Sequence, residues 1–155
     1  MKKLKKNKCI RDLSASLEDY LETIATLKKI KKYARIVDIA KYLNVKNSSV
    51  NVAVNFLTKN GLTIHEKYGY VDLTYEGLKI ASRVQKKHDV LSNFLNKLLF
   101  VKNEIAIKEA CEIEHVISSM TIHRFERLYK FLKMCFLKDD KNITSLKKYL
   151  KIGKM

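Results

Sequence analysis

Between Ala34 and Leu73 the apolar residues change their spacing, and that change restricts the fold more than any other feature of the chain. The run ARIVDIAKYL reads as a short amphipathic helix, and Asn44, Val45 and Lys46 as a turn. Asn47 or Ser48 is placed to cap a second helix, SSVNVAVNFLTKN. Val50, Val54 and Leu57 form its buried side, and Gly61 sits where a glycine ends a helix. Beyond Gly61 come two β-prone runs, Leu62–Glu66 and Tyr70–Leu73, separated by Lys67, Tyr68 and Gly69, which is a hairpin signature. Helix, turn, helix and hairpin, in that order, make a winged helix-turn-helix.

The flanking segments are helical. Ser16 is placed to cap a helix from Leu17 to about Lys31, in which Leu17, Tyr20, Leu21, Ile24 and Leu27 repeat at helical spacing. Thr74 precedes a long helix from Tyr75 to about Phe100, and further helices are expected near 103–118, 121–137 and 142–149. The absence of Pro and the presence of only 4 Gly fit this reading. The expected fold is mainly α with a small β-hairpin. Residues 1–74 are expected to form a winged helix-turn-helix DNA-binding domain, and residues 75–155 a helical domain, to which the residues and the resemblance given below assign dimerisation and metal binding. The basic segment 1–12 reads as a solvated tail.

The formal net charge is +16, from 32 Lys and Arg against 16 Asp and Glu, so the surface attracts a polyanion. The winged-helix pattern selects double-stranded DNA over an anionic membrane. On the second helix of the pair, Asn47, Ser48, Ser49 and Asn51 offer short hydrogen-bonding side chains near its positive end, with Asn55 and Lys59 further along. Arg35, Lys46 and Lys67 are placed to meet phosphates. The three cysteines, Cys9, Cys111 and Cys135, are too widely spaced for a disulfide framework. The N-terminus lacks the apolar run of a signal peptide, and no stretch has the length of a membrane span. The expected location is the cytoplasm.

A second group of residues has metal-ligand chemistry. Asp19 and Glu22 stand three apart, so their carboxylates share one face of the first helix. Cys111, Glu114 and His115 place a thiolate, a carboxylate and an imidazole on one face of a later helix, and His88 lies on the long helix between. Carboxylate and imidazole suit Mn²⁺ and Fe²⁺, and a thiolate adds affinity for softer ions. Each residue alone has an ordinary structural explanation. Cys-x-x-Glu-His on one helical face is the more specific signal.

Six segments, SLEDYLETI, ARIVDIAKYL, SSVNVAVNFL, GL…YGYVDLT, HDVLSNFL and ACEIEHVIS, occur in the order seen in the diphtheria-toxin-repressor family of metalloregulators. The resemblance runs from about Ser16 to Phe131 and is nearest to the short manganese-regulator type. It implies that Asp19, Glu22, His88, Cys111, Glu114 and His115 are metal ligands. Asp19 resembles the manganese branch and Cys111 the iron-sensing branch, while Ser92 and Ile107 depart from the ancillary site of the iron branch. The implied function is a homodimeric, Mn²⁺- or Fe²⁺-dependent repressor of metal-uptake genes on a palindromic operator, with no catalytic residues. A metal-independent winged-helix regulator is the alternative, and a metal-dependent hydrolase a third. The dimer interface is expected on Leu95, Leu98, Leu99, Phe125, Leu128, Phe131 and Leu132.

Overall fold

A computed structural model describes residues 13–66 and 69–152. The tail, Cys9 and Lys67 lie outside the described residues. The first helix, α1 (Ala15–Lys31), starts two residues earlier than the sequence suggests, because Ser14 rather than Ser16 is its cap. Ser14 Oγ accepts from the Leu17 amide, which satisfies an otherwise orphaned first-turn donor. A left-handed Lys32, φ +67°, closes the helix. The next segment is not one helix. Ala34–Arg35 form a short strand, β1, and α2 (Ile36–Leu43) begins directly after it.

Left-handed Asn44, φ +54°, turns the chain into α3 (Asn47–Lys59). Lys46, not Asn47 or Ser48, occupies the cap position and has no side-chain acceptor to offer. Gly61, φ +73°, stands after α3 as expected, since a positive φ costs glycine nothing. The hairpin strands are β2 (Thr63–His65) and β3 (Tyr70–Leu73). With β1 they make a three-stranded antiparallel sheet of order β1-β3-β2 rather than a lone hairpin, with Ala34 opposite Val71 and Thr63 opposite Leu73. The third strand gives the hairpin a partner, without which two strands are barely stable.

The chain separates into two compact units, Met1–Gln85 and Lys86–Met155, and the division falls within α4 (Tyr75–Asn93). In the first unit, Leu21, Ile24, Ile39, Val50, Val54, Leu57 and Leu62 are fully buried in one continuous core with Val71. In the second, α4 passes into a π-helical turn, Phe94–Leu98. Then come α5 (Asn103–Glu114), α6 (Ser119–Cys135) and α7 (Asp140–Ile152). Its buried cluster is small, with Leu91, Ala110 and Ile122 at the centre. Leu99, Leu128 and Phe131 are exposed, whereas Leu98 is buried within its own unit and so leaves the expected interface set. Among the described residues no helix is long and apolar enough to cross a membrane.

The start of α4 is locked to the loop after α3. Thr74 Oγ1 donates to the Gly61 carbonyl at 2.8 Å and accepts from the Gly77 amide at 3.1 Å. Gly77 passes so close that an added Cβ would stand 1.9 Å from the Leu62 carbonyl oxygen. Backbone on both sides leaves no flexible group to yield. Gly77→Ala is therefore expected to destabilise the protein by about 1–3 kcal/mol, despite the better helix propensity of alanine. Urea unfolding should show a lower midpoint, and an unchanged or higher one would contradict this packing.

Candidate metal centre and nucleic-acid interface

In the C-terminal unit, α5 carries Cys111 and Glu114 on one face, and His115 follows at the C-cap with helical backbone angles, φ −78° and ψ −29°. The helix thus ends at Glu114, short of the Ser118 expected from sequence, yet the three side chains still converge. One ligand atom from each of Cys111, Glu114 and His115 lies within 4.8 Å of the others. Glu114 is 0 % exposed. Its Oε2 stands 3.0 Å from His88 Nδ1 and its Oε1 3.5 Å from His115 Nε2. The site therefore brings together Cys111, Glu114 and His115, and includes His88 through Glu114. Asp19 and Glu22 lie three residues apart on α1 of the N-terminal unit, both half-buried.

Burying an ionised carboxylate is unfavourable by several kcal/mol unless charge and hydrogen bonds replace water. Glu114 Oε1 is buried and accepts no hydrogen bond. A divalent cation fits an acceptor so placed. With bonds of about 2.1 Å, neighbouring ligand atoms stand roughly 3.0–3.5 Å apart, the separation of Glu114 Oε1 from His115 Nε2. Thiolate, carboxylate and imidazole together fit a first-row divalent ion.

A residue the sequence reading passed over holds this corner in place. Lys87 Nζ donates to the carbonyls of Glu114 at 2.7 Å and Ile117 at 3.1 Å. The Glu114 carbonyl lies at the end of α5, where the negative end of the helix dipole falls, and the Ile117 carbonyl lies in the turn that follows. The signal in the sequence was only a lysine beside His88.

In the N-terminal unit, α3 packs Val50, Ala53, Val54 and Leu57 inward and leaves Asn47, Ser48, Ser49, Asn51, Asn55 and Lys59 exposed. Lys46 is exposed at the helix start, where no side chain caps the first-turn amides. Asn51 Nδ2 donates back to the Asn47 carbonyl. Arg35, exposed at the edge of the sheet, has its guanidinium carbon 5.1 Å from the Tyr33 ring centre and 4.9 Å from that of Tyr70. It also donates to the Tyr70 hydroxyl at 2.6 Å. That hydrogen bond raises the guanidinium pKa above its ordinary value, and the two rings fix a cation that otherwise swings freely. Val52, which the sequence reading did not single out, is 71 % exposed on the same helix.

Comparison with known proteins bears on both regions. Residues 12–71 match the iron-dependent repressor N-terminal DNA-binding domain, and residues 74–142 the iron-dependent repressor metal-binding and dimerisation domain. The chain is 36 % identical over 132 residues to the HTH-type transcriptional regulator MntR of Geobacillus kaustophilus, covering 85 % of this chain and 90 % of that protein. Identity to MntR of Bacillus subtilis is 38 % over 132 residues, covering 85 % and 89 %. Among solved structures, T. acidophilum IdeR superposes with a TM-score of 0.69 at 31 % identity, over 77 % of this chain and 56 % of that one. The manganese regulator SloR superposes with a TM-score of 0.67 at 26 % identity, over 74 % and 54 %. The chain thus spans just over half the length of these solved structures.

The Lys87 contacts predict a measurable effect. Lys87→Met should weaken Mn²⁺ binding by about tenfold or more in calorimetric titration, as loss of a group that orients a metal ligand does. Lys86→Met, which removes only an exposed partner of Glu126, should leave it unchanged. Equal affinities for the two variants would contradict the positioning role.

Proposed function

This chain belongs to the iron-dependent repressor family, and from that premise we infer that it is a metal-dependent, DNA-binding transcriptional repressor of metal-ion uptake genes. It works in the cytoplasm as a homodimer on a palindromic operator and is not an enzyme. The observation that carries the reading is Glu114, a carboxylate with no solvent, set between two imidazoles and beside a thiol. The activating ion is Mn²⁺ or Fe²⁺.

The proposed ligand set is Asp19, Glu22, His88, Cys111, Glu114 and His115, with Asp19 and Glu22 assigned by resemblance to the family. A bound ion supplies positive charge at Glu114 and ties its ligands into one arrangement. The hard oxygens of Asp19, Glu22 and Glu114 favour Mn²⁺ and Fe²⁺, and the Cys111 thiolate favours Fe²⁺ and softer ions. Because affinity alone follows the Irving–Williams order, activation must depend on geometry as well. Mn²⁺ accepts the high coordination number this set offers, and Zn²⁺ prefers four ligands. Mn²⁺ is therefore the best activator, Fe²⁺ the next, and Zn²⁺ binds tightly but activates poorly.

On DNA, α3 enters the major groove and the β2-β3 hairpin lies beside it. Asn47, Ser48, Ser49, Asn51 and Asn55 face base edges and phosphates, and Arg35, Lys46, Lys59 and Lys67 meet phosphates. A metal-independent regulator on the same fold would need none of the buried ligand chemistry.

Glu114→Ala and His115→Ala should each abolish Mn²⁺-stimulated DNA binding, measured by fluorescence anisotropy in buffers with defined free metal. Asp19→Met should shift the response from Mn²⁺ towards Fe²⁺ under anaerobic conditions. Full metal stimulation in both alanine variants would make the cluster structural and leave the metal-independent reading standing.

A further inference from the structure

The outward face of α3 carries a residue whose chemistry the polar DNA contacts do not use. Val50, Ala53, Val54 and Leu57 define the inward direction of this helix. At about 100° per residue, Ser48, Val52, Asn55 and Lys59 all point within roughly 30° of the opposite direction. Three of the four bring a hydrogen bond or a charge. Val52 brings two methyl groups, 71 % exposed and with no place in the core cluster. An isolated exposed valine is ordinary on a protein surface. This one occupies the centre of the face that the DNA-binding reading sends into the groove. Asn51, by contrast, lies about 70° from the outward direction and uses its amide nitrogen on its own helix.

The floor of the major groove is a pattern of hydrogen-bond donors and acceptors with one apolar group, the C5 methyl of thymine. A valine aimed at that floor would leave any donor or acceptor it covered without a partner, which is unfavourable. Against a methyl group it gains apolar burial instead. Its branched side chain is already restricted to essentially one rotamer in a helix, so contact costs little further entropy. Ser48 and Asn55, four residues before and three after, remain available to hydrogen-bond the flanking base pairs. We propose that Val52 is a specificity-determining residue that reads thymine in each half-site by methyl–methyl contact. The proposal rests on the DNA-binding reading above and adds to it which base the centre of the helix selects.

The experiment uses the full chain with Mn²⁺ and a duplex selected by it from a random-sequence pool. Each thymine of that duplex is then replaced singly by deoxyuridine, which removes only the C5 methyl. The expected result is a loss of about fourfold in affinity at one thymine per half-site, the effect of one buried methyl group. Val52→Ala should bind the parent duplex more weakly and lose that sensitivity, and Val52→Ile should retain it. A wild-type protein indifferent to deoxyuridine at every position overturns the proposal, as does a Val52→Ala variant with undiminished sensitivity. A pool from which no sequence is enriched overturns the DNA-binding reading itself, and this inference with it.

Discussion

A carboxylate with no access to water is the interaction on which the C-terminal unit depends. Glu114 sits where burial penalises its charge, and the unit's buried apolar cluster is small. Three features of the chain make the position tolerable. His88 and His115 approach its two oxygens from different elements, and Lys87 neutralises the helix end that presents it. What remains unsatisfied is Oε1, the atom a cation would take. A hydrophobic residue at 114 would pack more simply, so the presence of an acid there points to binding rather than to stability.

The N-terminal unit is built on the opposite principle. Its core is continuous and mostly apolar, and the buried polar residues described there are two threonines, Thr23 and Thr63. That rigidity matters because a helix reads bases only if its position is fixed by packing, and α3 is held on its entire inner side. Arg35 is held in the same way, its guanidinium resting on the Tyr33 and Tyr70 rings. For an ion to control DNA binding it must favour one arrangement of the chain over another, and its influence cannot exceed that difference in affinity.

Much of this was legible in the residue pattern. The change of apolar period around Gly61 was enough to place α2, α3 and the two hairpin strands, because inward residues such as Val50, Val54 and Leu57 recur at helical spacing. What escaped was set by longer-range or finer contacts. β1 has two residues, and its identity as a strand comes from pairing with Val71 and Tyr70, far along the chain. The caps shifted because Ser14 and Ser16 have the same chemistry and only backbone geometry chooses between them. The π-helical turn at Phe94–Leu98 carries no composition signal, so one helix was read where two kinds of helix occur. Within the metal cluster, spacing alone pointed to Cys111, Glu114 and His115, but nothing in it revealed that Glu114 is the buried member or that Lys87 braces it. Val52 escaped for a related reason, since an apolar residue off the buried stripe looks like noise until its exposure is known.

Metal binding and DNA binding are thermodynamically linked through this chain. Linkage is reciprocal: the factor by which saturating Mn²⁺ raises DNA affinity must equal the product, over all the ions the dimer binds, of the factors by which DNA raises Mn²⁺ affinity. The decisive measurement is Mn²⁺ titration followed by electron paramagnetic resonance, with and without saturating selected duplex, set beside DNA titrations with and without Mn²⁺. The DNA titrations should return the product of the per-ion factors found in the Mn²⁺ titrations, each per-ion factor lying within the roughly 5–150-fold range usual for such coupling. Mn²⁺ affinity unmoved by DNA would contradict it.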